Sequence, residues 1–204
     1  SFGHNMLLYP LSEMSGGIYY EHAHRLYGML VGVTTITLLV MVFIHDRRSW
    51  MRALMVAVFV MVCVQGVMGG LRVTGEFTMS QENTAPSIAL AISHGIFGQV
   101  VFACFCLLAV ASSRFWTVQS PARVIDGGGL DRTITILLPL SLILQLFLGA
   151  CYRHLQVPAT ADTPGSFPAW ALVGHLSFAI VVLLLAIFTG LRATTRSNLP
   201  LMPK

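Results

Sequence analysis

Apolar residues dominate five stretches of the 204-residue chain, at about 21–44, 51–71, 87–111, 133–152 and 169–191. At 1.5 Å per helical residue each is long enough to cross roughly 30 Å of hydrocarbon, so the pattern predicts five transmembrane helices. The joins break that pattern for local reasons. HDRRSW is charged, EFTMSQENTAPS is polar and contains a proline, PARVIDGGGLDR is flexible and basic, and PATADTPGSFP is rich in proline. No extramembrane domain fits between the spans. The expected fold is all-α, a polytopic membrane helical bundle of about five helices.

Composition points the same way. Hydrophobic residues make up 55% of the chain and charged residues 10%, against roughly a quarter charged in a soluble domain. The mean hydropathy is +0.77, which argues against a water-soluble fold. Cys63, Cys104, Cys106 and Cys151 lie within or beside apolar runs without the paired spacing of a zinc ribbon or redox motif, and read as small core- or lipid-facing residues. The net charge of +4 does not indicate nucleic acid, because the basic residues sit in short joins rather than along one soluble face. They report topology instead. Arg47, Arg48, Arg52, Arg114, Arg123, Arg132, Arg192, Arg196 and Lys204 fall on one side, against Arg25, Arg72 and Arg153 on the other. The positive-inside rule puts the first group and the C-terminus in the cytoplasm, and the N-terminal segment in the periplasm of a bacterial inner membrane. The chain opens on Ser1 with a segment that is not a signal peptide, so an incomplete or processed chain is expected.

With that orientation the first, third and fifth spans run inward, and each carries a histidine near its entrance. His94 lies eight residues after Pro86, His175 seven after Pro168, and His24 seven after Gly17. Three histidines at one depth can form a layer of ligands, and neutral imidazole is a strong ligand for haem iron. The alternative for each is a histidine hydrogen-bonded across helices. A weak repeat supports the shared depth: VQGVMGG, with Gln65 and Gly69, recurs eighty residues on as LQLFLGA, with Gln145 and Gly149. His94 follows Gln65 by 29 residues and His175 follows Gln145 by 30. Duplication of a helical hairpin explains this most simply.

An ionisable group inside a span is a functional hypothesis by default. Glu21 is the sharpest, lying three residues before His24 and so on its helix face, where a carboxylate can take protons or steady positive charge. It reads alternatively as an interfacial acid paired with Arg25 or Arg72. His22 points away from both and reads as interfacial or as a hydrogen-bond partner for a propionate. Arg25 and Arg72 stand at outer helix ends, where guanidinium groups suit haem propionates, although snorkelling explains them too. Four residues after each histidine stands Gly28, Gly98 or Ala179, leaving room for a flat macrocycle. Small-residue helix packing through Gly28-x-x-x-Gly32 is the competing account. Gln65, Gln99 and Gln145 read as helix-to-helix hydrogen bonds. His4, His45 and His154 carry no specific signal, and the ten methionines read as apolar filling.

EHAHRLYG resembles the Glu-x-x-His-Arg motif on the second helix of the haem A synthase family. VQGVMGGLRVTG resembles that family's third helix, SHGIFGQ its fourth with the second histidine, LQLFLGACYRH its fifth, and SFGHNMLLYP the loop after its first. The likeness covers about residues 1–192. It implies an eight-helix protein of two four-helix halves, each holding a haem between paired histidines, that oxidises a ring methyl of haem O to the formyl of haem A. This chain would supply helices two to six of that duplicated four-helix-bundle architecture. Residues 21–112 would give three helices of the N-terminal, substrate half and 133–192 the first two of the C-terminal, cofactor half. A periplasmic segment (1–20), a cytoplasmic loop (113–132) and a cytoplasmic tail (193–204) would complete it. By position, His24 and His94 would ligate the substrate iron, Glu21 would be the catalytic acid residue, and His175 would be the first ligand of a cofactor haem B. Two departures stand out: His175 sits in GHLSFA without the arginine that usually follows, and no sixth span supplies its partner. The cysteine pair of some members' first periplasmic loop is also missing, and the second haem site is not expected to assemble from this chain alone.

The expected function is therefore haem A synthesis for cytochrome oxidase assembly. Its expected partners are haem O, the farnesyltransferase that produces it, an electron acceptor, the lipid bilayer and a second copy in a homo-oligomer. The rival readings are a b-type cytochrome electron-transfer subunit, which needs the histidines but not Glu21, a non-enzymatic haem-binding assembly factor, and a transporter or insertase-like factor without a cofactor.

Overall fold

The computed structural model describes residues 9–10, 16–74, 88–114, 116, 128–157, 159, 161–162 and 164–197. They contain five helices: α1 (Gly16–His45), α2 (Ser49–Thr74), α3 (Ile88–Ser112), α4 (Gly128–His154) and α5 (Ala169–Ser197). Each includes a segment long and apolar enough to cross a membrane. In lipid every backbone N–H and C=O must be satisfied within its own segment, so an isolated apolar run of this length becomes a helix. The chain is an all-α, polytopic integral membrane protein, as its apolar pattern indicated.

The helices run further than the apolar stretches, most clearly at α4. Its first residues, GGLDR, fall in a segment read from the sequence as a loop. Gly128 enters the helix at a φ of 54°, a left-handed conformation without penalty for a residue that lacks a Cβ. Asp131 then places a negative charge in the first turn, against the positive end of the helix dipole. The same carboxylate accepts a hydrogen bond from Nε of Arg192 on α5. Local polarity, invisible to an apolar count, thus starts the helix about a turn early.

The described residues fall into two compact units: those within Ser1–Glu76 and Phe97–Val118, and those within Phe77–Ile96 and Gln119–Lys204. In the first, Met51, Met55 and Val58 of α2 are buried with Leu108 and Ala111 of α3, and Leu39 and Val42 of α1 pack against them. Lipid tails are as apolar as these side chains, so the cluster holds by close packing rather than by escape from water. A charge network secures the three-residue turn between α1 and α2. Arg48 forks onto Asp46, with Nε donating to both carboxylate oxygens (3.0 and 3.1 Å) and Nη2 to Oδ2 (2.5 Å). Its Nη1 reaches the Ala111 carbonyl of α3 at 3.0 Å. Arg52 donates to the carbonyls of Asp46 (2.7 Å) and Phe43 (3.1 Å), acceptors left open where α1 ends. The Arg48 hydrogen bond outweighs the opposing effect of burial and holds the Asp46 carboxyl at about 2, below its ordinary 3.8.

In the second unit α4 and α5 form a hairpin. Asp131 and Arg192 tie one end. At the other, Val157 and Ser166 exchange backbone hydrogen bonds of 2.8 and 2.9 Å across the connecting loop. Gly165 is required there, because a Cβ would stand 2.8 Å from the Ala159 nitrogen and 3.0 Å from the Val157 oxygen.

Candidate functional site

His175 has the most fully built surroundings of the three predicted ligands. It lies six residues into α5, roughly 9 Å from Ala169 along the axis, and its ring crosses to α4. Nδ1 is 3.1 Å from the backbone oxygen of Gln145. A carbonyl can only accept, so Nδ1 is the donor of this pair. The Gln145 side chain returns the contact, Nε2 donating to the His175 carbonyl at 3.0 Å. This is the interhelical bond expected of an intramembrane amide. The imidazole lies against Gly149, where a Cβ would be 2.8 Å from its Cε1 and 3.1 Å from Nδ1. Gln145 Oε1 is buried without a hydrogen-bond partner among the described residues.

On α1, Glu21 and Arg25 form an ion pair of 2.5 Å, Nη2 to Oε1, both side chains being about one-third exposed. Of the two partners the sequence offered Glu21, Arg25 is the one seen. Arg72 lies in the last turn of α2, and its side chain is outside the described residues. His24 is exposed on α1, eight residues after Gly16. Gly28 and Gly32 both have open space above them among the described residues, where helix packing through this pair would place a neighbour. His22 reads from the sequence as interfacial or as a hydrogen-bond partner for a propionate. It is buried, its ring centroid 5.1 Å from that of the buried Tyr9 and tilted by 38°, and its Nδ1 has no partner among the described residues. A chain-distant aromatic covers it, which no local pattern announces. His4 lies outside the described residues.

His94 is half-buried on α3, six residues after Ile88. It falls in the second unit and His24 in the first. Gly98, one turn further on, lies against α2: a Cβ there would stand 2.9 Å from Nε2 of Gln65. The two glycines expected to make room for a macrocycle thus differ: among the described residues Gly28 meets no neighbour, whereas Gly98 carries the Gln65 amide.

Among the described residues no three His, Cys, Asp or Glu side chains converge as they would around a bare metal ion. A haem iron brings four nitrogens of its own and asks only for axial ligands. The imidazole of His175, turned by its bond to α4, its glycine cradle, and the face after His24, open among the described residues, fit that requirement. The site feature underestimated in the sequence is the Gln-x-x-x-Gly pair, visible there as a repeat but without its contact to a histidine.

No curated protein and no solved structure matches the chain. The family described as cytochrome oxidase assembly protein, COX15-CtaA, matches residues 3–164, a stretch that takes in Glu21, His24, His94, Gln145 and Gly149 and ends before α5 and His175. Matched over most of its length, and with five membrane-crossing helices bearing these residues, the chain belongs to the cytochrome oxidase assembly protein family.

Proposed function

We propose that the chain is a haem A synthase-type membrane oxidoreductase, converting a ring methyl of haem O to the formyl of haem A. The observation that carries this reading is the family match over the segment that holds Glu21, His24 and His94. With water as the oxygen source, the change from methyl to formyl releases four protons and four electrons, so the site needs a proton acceptor and a route to an electron acceptor.

His24, in the first unit, and His94, in the second, each serve as a ligand for haem iron. Glu21, one turn from His24 on the same face, receives protons from the reacting carbon or steadies positive charge there. Arg25 orients that carboxylate through the ion pair, and its remaining guanidinium donors can meet a propionate. The open face after Gly28 admits the edge of the macrocycle. His175 is the chain's ligand for a haem B in the second half, a group that supplies one-electron redox chemistry when bound. Haem O arrives from the farnesyltransferase that makes it, and the orientation with Glu21 toward the periplasm follows from the arginine distribution.

The test is haem extraction from an oxidase-producing host that lacks its own haem A-forming activity. In a protein carrying this chain that restores haem A, Glu21→Ala or Glu21→Gln should abolish it while haem binding, read from the Soret band, persists. Haem A at wild-type levels in either variant would remove Glu21 from the chemistry and favour the b-type cytochrome reading, which needs histidines alone.

A further inference from the structure

Residue i of a helix directs its carbonyl toward residue i+4, and the Cβ of that residue leans back over it. A glycine at i+4 therefore uncovers the carbonyl's second lone pair. Gln145 and Gly149 stand in this relation, and the uncovered oxygen is the atom that His175 Nδ1 meets at 3.1 Å. The ring occupies the space a Cβ would need, 2.8 Å from Cε1 and 3.4 Å from Nε2. The Gln145 amide meanwhile holds the His175 backbone at 3.0 Å, so both ends of the histidine are gripped by one turn of α4.

We propose that Gly149 and Gln145 are positioning residues that lock the His175 imidazole as its Nδ1–H tautomer and present Nε2 as the iron-ligating atom. This rests on the reading that His175 binds haem iron and adds how it is prepared to do so. Metal-bound histidines depend on such a hydrogen bond at the second nitrogen, which fixes the tautomer and ring plane and raises ligand basicity; losing it typically weakens binding roughly 10–100-fold. The same pair explains why a glycine follows the glutamine by four in LQLFLGA. The amide bonds the neighbouring backbone, and the glycine admits the ring.

The test reads the tautomer directly, before any haem is added. The full chain is labelled with ring-15N histidine, placed in lipid nanodiscs, and compared with His175→Ala to identify the His175 resonances. These should be those of an Nδ1–H imidazole. Gly149→Ala should move them to the Nε2–H form or to an exchange average, because the added methyl displaces the ring from the carbonyl. Gly174→Ala is the control for folding and packing: among the described residues its Cβ meets only Leu148 side-chain carbons, at 3.5 and 3.8 Å, and it should leave the spectrum unchanged. Haem B titration of the same proteins, with free imidazole added as the second axial ligand that His175 needs, should show roughly 10–100-fold weaker binding for Gly149→Ala, and an intermediate loss for Gln145→Leu, which deletes the amide and leaves the uncovered carbonyl. An Nε2–H tautomer in the wild-type protein, or one that Gly149→Ala does not alter, would overturn the proposal. Identical haem titrations for wild type and His175→Ala would instead sink the haem reading of this histidine, whatever the tautomer shows.

Discussion

Gly28→Leu separates haem binding from helix packing. Gly28 lies one turn after His24, and a Cβ there meets nothing within 4 Å among the described residues. Folding should therefore tolerate leucine. Relieving a mid-helix glycine is worth roughly 0.5–1 kcal/mol by itself, so the haem-free protein should be as stable as the wild type or slightly more so. Binding should suffer, because the leucine branches fill the surface that the macrocycle edge would occupy one turn below its ligand. Forcing such an overlap costs about 1–3 kcal/mol, which at 1.4 kcal/mol per tenfold is roughly 5- to 150-fold in affinity. Haem titration followed at the Soret band measures the affinity, and thermal loss of the helical circular dichroism of the same nanodisc preparation measures stability. Gly98→Ala provides the contrast, since its Cβ would stand 2.9 Å from Gln65 Nε2 and should disturb the protein before haem is added. A Gly28→Leu protein that binds haem with wild-type affinity would refute the assignment of this face to the macrocycle.

Two further predictions concern the turn between α1 and α2. Arg48→Ala removes both the fork onto Asp46 and the bond to the Ala111 carbonyl, and should lower unfolding stability by about 1.5–3 kcal/mol, the range for a charge-assisted hydrogen bond; Asp46→Ala spares the Ala111 bond and should cost less. Asp46 is held at about 2 when folded against an ordinary 3.8, so its stabilising effect is present above about pH 4 and is lost as the pH falls through 2. Denaturation of wild type and Asp46→Asn across that range should therefore converge near pH 2, and a difference that persists there would contradict the assignment.

Five apolar stretches, read without any contact information, gave the number of helices because lipid leaves such segments no other way to satisfy their backbones. The helix periodicity also put Glu21 and His24 on one face, and the histidine-bearing spans could be found by counting. The sequence did not tell where α4 begins, because the Gly128 conformation and the Asp131–Arg192 pair act outside the apolar pattern. It left Glu21 with two candidate partners, and the structure shows the ion pair with Arg25.

The rotation of each helix about its axis was also beyond the sequence. In a soluble protein the apolar stripe reveals which side faces inward, whereas here core-facing and lipid-facing positions are equally apolar. The pattern therefore determined how many of the described helices are long and apolar enough to cross a membrane, and which of them carry histidines. Tertiary packing alone decided that Tyr9 covers His22, that Gly98 receives Gln65 while Gly28 meets none of the described residues, and that His175 rests in the groove of Gly149. Each of those outcomes depends on side chains from distant parts of the chain meeting at one helix register, information that no local spacing contains.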